Sequence, residues 1–428
     1  MRDTIVIIGA GFGGLELAKR LDKKKWNVVL VDRNNYHSFP PLFYQVATSG
    51  LDSASISFPL RREMRRGKMH GVDFHMGDVS EIRIGSKEVV TQYETISYDR
   101  LVIAAGTTNN FFRIPDLDKD VNTLKSTSEA IRCRNDILMR LERAAVCRDP
   151  ERRRVMLSFT IVGGGPAGVE VAGALGEMKR YVIPKEYPSI KQEEVSINLV
   201  EGTDSILGFL PEKLRLRAEQ SLKGLMVNVL TGRTMRSYKD NKITFAEENA
   251  EPIYSETLIW TAGVTGNTFR LTGTEVTPGH GNRFVVDEYN RVEGLDDVYA
   301  VGDIAIHTDQ RFPKGVPQLA QGAIQQARTL ARNLNSGEWK HVFSYRDKGT
   351  MATIGRNKAV AHIGRLQMSG LPAWMMWMAV HLLTLMGMRN KIVVFVNWIW
   401  GYFSFSSSLR LIMRQARYPL SHRWHGDA

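Results

Sequence analysis

Two glycine clusters carry the clearest chemical signal in this sequence. Gly9-Ala10-Gly11-Phe12-Gly13-Gly14 and Gly163-Gly164-Gly165-Pro166-Ala167-Gly168 both follow the GxGxxG pattern. A pyrophosphate needs backbone N–H donors, a positive field and no obstructing side chain, and a glycine turn that opens a helix supplies all three. In this reading Gly9 and Gly163 make the tight turns, Gly11 and Gly165 admit the phosphates, and Gly14 and Gly168 let each helix pack on its sheet. Asp32 and Glu201 close the next apolar runs, where a carboxylate can accept hydrogen bonds from adenosine ribose hydroxyls. Glu201 also repels a 2′-phosphate and has no arginine beside it, so the second cluster is expected to take NADH rather than NADPH. A solvated acid at a strand end is the plainer alternative for Glu201.

The elements needed to position these groups are legible around them. Ile5 to Ile8 is a short buried-strand pattern, Leu15, Leu17, Ala18 and Leu21 have helical spacing, and Val28 to Val31 form a second strand. Phe159 to Val162, a helix, and Ser196 to Val200 repeat that β-α-β order. Further apolar strands run into Ala105-Gly106 and Ala262-Gly263, which places those turns beside the first and second dinucleotide respectively. Another, Val298 to Val301, leads to Gly302-Asp303. A strand-end carboxylate there can bind a ribityl hydroxyl, a contact only a flavin offers, so FAD is expected in the first unit and NADH in the second. Because Gly302-Asp303 follows the second unit, the simplest α/β architecture has two Rossmann-type domains with the second inserted in the first. The expected FAD domain is 1–115 with 280–345, the NADH domain 116–279, and a C-terminal membrane-associating segment 346–428.

After Asp303 a helix is expected to begin at Pro317, with its positive end toward the flavin. Gln318, Gln321 and Gln325 then share one face, and small Ala320 and Gly322 permit close approach to the ring. Their amides can donate to quinone carbonyls without adding fixed charge; a polar solvated face is the alternative.

Hydrophobic residues make up 43% of the 428 and charged residues 24%, and mean hydropathy is −0.23. That excludes a fibrous or disordered chain and fits a soluble body with a local membrane-seeking part. The net charge of +12 is unevenly spread: no acidic residue lies between Asp347 and Asp427, where Arg356, Arg365, Arg389, Lys391, Arg410, Arg414, Arg417 and Arg423 are found. Mixed with Trp, Met, Phe and Leu, those cations suit an anionic lipid surface and not a nucleic acid. Leu366 to Met388 and Ile392 to Leu409 carry no charge. Spanning would carry Arg389-Asn390-Lys391 across the bilayer against the positive-inside tendency. Trp374, Trp377, Trp398, Trp400 and Tyr402 instead suggest two helices lying in an interfacial belt, with a buried core or homodimer interface as the alternative. Cys133 and Cys147 match neither a CxxC pair nor a metal site, so no metal is expected. The apolar start runs directly into Gly9, so no signal peptide is expected.

With these motifs the chain resembles the two-dinucleotide-binding flavoprotein reductases, and within them the type II, non-pumping NADH:quinone oxidoreductases. Narrower signals are Asn35-Tyr36-His37-Ser38-Phe39-Pro40-Pro41-Leu42-Phe43-Tyr44-Gln45-Val46-Ala47, Trp260-Thr261-Ala262-Gly263-Val264, and Ala320-Gln321-Gly322-Ala323-Ile324-Gln325-Gln326. The last fits the family's AQxAxQQ pattern, which the resemblance links to a quinone pocket beside the flavin and so to Gln321 and Gln325. Glu170 resembles a family position near the nicotinamide; an acid favoured by a helix N-terminus is the alternative. Ala105 departs from the threonine often found at that turn, and His37 reads as a packed loop residue.

The resemblance implies FAD-dependent NADH oxidation with two-electron reduction of menaquinone or ubiquinone, at the cytoplasmic face of the inner membrane, by a peripheral or monotopic protein. Without a redox cysteine pair, electrons must leave the flavin directly for an acceptor. Alternative readings are an NADH-dependent reductase of an iron–sulfur protein and a membrane-attached NAD(H)-sensing flavoprotein.

Overall fold

In the computed structural model, which describes residues 2–65, 67–404 and 409–412, two parallel five-stranded sheets organise the chain. The first contains β1 (Asp3–Ile8), β2 (Trp26–Asp32), β3 (Val72–Met76) and β4 (Arg100–Ile103), with α1 (Phe12–Arg20) joining β1 to β2. Its fifth strand, β10 (Val298–Ala300), arrives only after the second sheet is complete and pairs with β4, giving the order β10-β4-β1-β2-β3. The second sheet holds β5 (Asn122–Thr123), β6 (Ser158–Val162), β7 (Ser196–Val200), β8 (Asn228–Leu230) and β9 (Thr257–Trp260), in the order β5-β9-β6-β7-β8. The second Rossmann-type unit is therefore inserted in the first. Strands buried on both faces need continuous apolar runs, and Ile5, Val6 and Ile7 are each wholly buried.

Helix α2 (Thr127–Val146) covers the second sheet; its N-cap Ser126 accepts from Glu129 N. Helix α3 (Pro166–Glu177) follows the second glycine cluster, and α4 (Ala320–Ser336) packs beside α1. The C-terminal region opens with an antiparallel sheet of β11 (Thr350–Thr353), β12 (Ala359–Ile363) and β13 (Leu366–Ser369), then α5 (Leu371–Thr384) and α6 (Met388–Ser404). β11 packs on α3, where a Cβ on Gly173 would fall 2.8 Å from the Ile354 backbone.

Three expectations are corrected. The first uncharged run is not helical throughout, because Leu366–Ser369 extends the sheet by pairing with β12. The aromatic belt is mostly turned inward: Trp377 is buried, Trp374, Trp398 and Tyr402 are half-buried, and Trp400 alone of the five is exposed. The third concerns α4, which begins at Ala320 and not at Pro317. Leu319 is extended, its N–H closes a turn on Pro317 O, and the Gln318 amide donates to Asp303 O at 3.2 Å, so 317–319 is held against the Gly302–Ile304 turn instead of coiling. Among the described residues no helix is long and apolar enough to cross a membrane. Arg414, Arg417 and Arg423 lie outside the described residues.

Candidate active site

The two glycine loops are built alike, and each glycine has its own reason. Gly9 and Gly163 have φ of +103° and +114°, and a Cβ on Gly9 would sit 2.5 Å from Ala104 O. On Gly14 it would lie 1.8 Å from Gly9 O, and on Gly168 1.8 Å from Gly163 O, so helix and strand touch there. Gly11 and Gly165 have nothing within 4 Å of the equivalent point. The space is left on the side from which a pyrophosphate approaches, so both loops fit dinucleotides.

The strand-end acids brace these loops. Asp32 Oδ2 accepts from Ala10 N at 2.7 Å and Glu201 Oε2 from Gly164 N at 2.6 Å, the same position in each cluster. Asp32 Oδ1 takes Asn34 N, and Glu201 Oε1 takes the Thr203 N–H and hydroxyl. Each carboxylate keeps lone pairs for a ribose hydroxyl. Burial pushes the Asp32 carboxyl up against the pull of its two backbone donors. His37 Nδ1 lies 2.8 Å from Ala10 O, and burial lowers this ring to about 4, so it is neutral and structural, as its sequence context suggested.

Around the first loop, Ala104 and Ala105 back Gly9, and Gly13 faces Val301 and Ala323. Ala105 O accepts from Asn267 at 2.6 Å, and Gly106 adopts φ +66° over open space. Gly302 N donates to Gln326 Oε1 at 2.7 Å, fixing the turn that carries Asp303 under the start of α4. Burial raises the Asp303 carboxyl, with Lys125 and Arg283 opposing that rise. Gly9, Gly11, Gly14, Asp32, Ala105, Gly106, Gly302, Asp303, Gln318 and Ala320 thus converge at the carboxyl edge of the first sheet. The second set converges equally: a Cβ on Gly163 would meet Ala262 N at 2.8 Å, and one on Gly263 the Phe112 ring at 2.4 Å.

The glutamines of the third motif are engaged with the chain that follows α4. Gln321 donates to Asp347 Oδ1 and Gly349 O and accepts from Lys348 N; Gln325 exchanges hydrogen bonds with the Arg346 backbone. Their amides hold the 346–349 strap against α4, and Gln318, placed before the helix, does not share their face.

Glu170 stands apart from both loops, one turn into α3, where it faces the C-terminal region. It is 8% exposed, its Oε1 lies 3.5 Å from Thr353 N, and Trp377 and Tyr44 are its neighbours. Burial raises its pKa to about 8, so it carries a proton at neutral pH. Glu177, two turns further on the same face, is also raised by burial, with the Arg356 N–H at 2.6 Å in partial compensation. Beside them opens a cavity of about 720 Å³ walled by three parts of the chain: Tyr44 and Gln45 after the first unit's loop, Glu177 of α3, and Trp377, Trp398 and Tyr402 of α5 and α6. Sequence reasoning quoted the segment holding Tyr44 and Gln45 without giving either a role, and it took the two tryptophans for lipid contacts. A polar Tyr-Gln pair inside an otherwise apolar run was the available signal.

Residues 3–327 match the pyridine nucleotide-disulphide oxidoreductase family model, and residues 348–404 match the NDH2 C-terminal domain. The chain is 34% identical over 419 residues to the type II NADH:quinone oxidoreductase Ndh of Mycobacterium tuberculosis, covering 94% of this chain and 89% of that one. It is 27% identical to an internal alternative NAD(P)H-ubiquinone oxidoreductase A1 of Solanum tuberosum mitochondria, over 93% of this chain and 86% of that one. The fold is shared with NDH2 of Plasmodium falciparum, solved in complex with NADH, at TM-score 0.86 and 21% identity, covering 97% and 100% of the two chains. It is shared more distantly with the sulfide:quinone oxidoreductase of Aquifex aeolicus, at TM-score 0.72 and 18% identity over 94% and 95%. Two braced dinucleotide loops, an insertion between them and a matching C-terminal region agree along the whole length, and the chain belongs to the type II NADH:quinone oxidoreductases.

Proposed function

We propose that this protein oxidises NADH through bound FAD and reduces a membrane quinone, menaquinone or ubiquinone, to quinol without pumping protons. The observation that carries the quinone half is the cavity shared by Tyr44, Glu177 and the C-terminal helices. FAD, held by the first loop and Asp303, supplies hydride acceptance and two-electron transfer. The chain's own groups bind, orient and hold protons. Gly165 and Glu201 position NADH, while Gln318 and Gln326 fix the Asp303 turn. Gln321 and Gln325 contribute by tying the 346–349 strap to α4. Glu170 holds a proton within the wall between α3 and the C-terminal sheet, where a quinone accepting two electrons also needs protons. Cys133 is buried, and burial drives its thiol far above the ordinary range, which supports direct electron transfer to the acceptor over a thiol relay.

The domain limits 1–115 with 280–345, 116–279 and 346–428 remain our division, supported by the strand order. We assign the cytoplasmic face of the inner membrane, reached through α6. Its Ile392, Phe395, Val396, Ile399, Trp400 and Phe403 are all exposed, at i, i+3, i+4, i+7, i+8 and i+11, which is one apolar stripe. Buried Asn390 and Val394 face inward. Arg389 and Lys391 in the first turn of α6 suit anionic headgroups, and a homodimer through the stripe is the competing occupant.

Val396→Asp tests the reading. The purified holoenzyme variant should keep NADH-to-soluble-dye activity, lose flotation with anionic vesicles and lose most turnover with vesicle-embedded quinone. Retained flotation, or a change from dimer to monomer without loss of flotation, would overturn the lipid assignment. A colourless wild-type protein that takes up no FAD would sink the whole reading.

A further inference from the structure

On the outer side of α1 and α4, away from both nucleotide loops, lies a second cavity of about 240 Å³. It is lined by Lys19, Arg20, Lys68, Arg328, Arg332 and Asn335, and no carboxylate lines it. The cations come from three separate elements: the end of α1, the segment after residue 67, and the middle of α4. Residues Arg328 and Arg332 are like charges at i, i+4, an arrangement that costs helix stability unless an anion lies between them.

Two of the lining arginines are held from behind by Glu16, which does not itself line the cavity: its Oε1 accepts from Arg20 Nε at 2.6 Å and from Arg328 Nε at 2.6 Å. Burial alone would raise the Glu16 carboxyl, and the two arginines more than reverse it, so it stays ionised. Both arginines are held through Nε, which leaves their Nη groups without a protein partner among the described residues. Side chains of Lys19, Lys68 and Arg332 likewise make no hydrogen bond or ion pair among those residues. Asn335 pins the two helix ends together by accepting from Asp22 N and donating to Arg20 O, so the rim is fixed as well.

We infer that this cavity is a phosphate-binding site distinct from the FAD and NADH loops, in which the Arg20 and Arg328 forks grip the anion and Lys19, Lys68 and Arg332 close over it. Planar guanidinium groups oriented in advance match phosphate oxygens bidentately. The phosphate has two sources, a soluble phosphate compound or a phospholipid headgroup.

The test uses FAD-loaded full-length protein and Lys19→Gln/Arg332→Gln, a double variant that leaves Glu16 and its two arginines intact. Calorimetric titration with pyrophosphate reads the soluble arm, and flotation with phosphatidylglycerol against phosphatidylcholine vesicles reads the lipid arm. Loss of one pyrophosphate site, or weakening by about tenfold for each cation removed, supports a soluble ligand. Selective loss of phosphatidylglycerol flotation with unchanged pyrophosphate binding supports a headgroup. Dye reduction by NADH at wild-type rate reports an intact fold. Identical behaviour of variant and wild type in both arms would overturn the site.

Discussion

The Trp398 indole N–H donates to the Gln45 side-chain oxygen at 2.8 Å, and the Gln45 amide in turn donates to the Tyr44 hydroxyl at 2.8 Å. A residue of α6 is thereby fastened to the short helix Phe43–Ala47 of the first unit, and all three side chains line the cavity.

Removing that fastening should affect the acceptor half-reaction alone. Trp398→Phe keeps an aromatic ring beside Trp377 but deletes the N–H donor, a neutral hydrogen bond worth about 1 kcal/mol, together with part of the indole's packing. A several-fold rise in quinone KM is expected, with NADH KM and dye turnover unchanged, in steady-state assays that vary each substrate separately. Gln45→Ala should show the same split more strongly, since it also releases Tyr44. Equal losses with dye and quinone would contradict it.

Glu170 makes stability fall with rising pH. Its folded pKa, about 8, lies above the ordinary value of 4.5, so between those two values the native state holds a proton that the unfolded chain has released. Stability then declines by up to about 1.4 kcal/mol per pH unit across that window and levels off above it. Glu170→Gln removes this contribution while burial-raised Glu177 keeps its own, so denaturant midpoints from pH 5 to 8 should slope less in the variant. Parallel slopes would show that Glu170 is already ionised in the native protein.

At Glu201, two effects are expected to separate. Glu201→Ala removes the repulsion of a 2′-phosphate and the brace on Gly164 together. NADH KM should rise a few-fold, while the preference for NADH over NADPH shrinks by about tenfold or more, the scale of one charge-assisted contact. Arg233, whose backbone N–H binds Glu201 O, has its guanidinium over the Phe245 ring at 5.6 Å. Measured kcat/KM ratios for the two nucleotides decide the matter.

Alanine at Gly11 and at Gly14 should fail differently. Gly11→Ala meets no protein atom, so thermal stability of the apoprotein should change by no more than about 0.5 kcal/mol, while the protein purifies with little yellow colour. Gly14→Ala drives a methyl into Gly9 O and should lower the yield of folded protein itself. Absorbance at the flavin band, set against the melting temperature, separates the two.

Glycine spacing made both loops readable in advance, because the backbone conformation and the close approaches that it demands depend on residues adjacent in sequence. The central strands and the insertion followed from apolar runs for the same reason, although β1 and β2 extend up to two residues beyond the apolar runs at their ends and the peripheral strands β3, β5 and β8 gave no such run. The cavity wall built by α3 and the C-terminal helices did not follow from such runs. Whether Trp377 faces lipid or Glu170 depends on α3 and α5 meeting from distant stretches of chain, and hydrophobic composition is identical in the two cases. Pro317 misled for a related cause: its local preference for a first helical turn was overridden by the Gln318 amide reaching Asp303 O, a contact invisible from the motif alone.

Pairing of Val298 with Leu101 has a consequence for biogenesis. Strand β4 waits with an open edge throughout synthesis of the whole inserted unit, and Asp303 emerges later still. The NADH unit can therefore fold on the ribosome as an uninterrupted stretch, whereas the flavin fold must close afterwards on an N-terminal half-sheet already made. Until β10 docks on β4, that exposed edge is the nascent chain's main invitation to wrong partners.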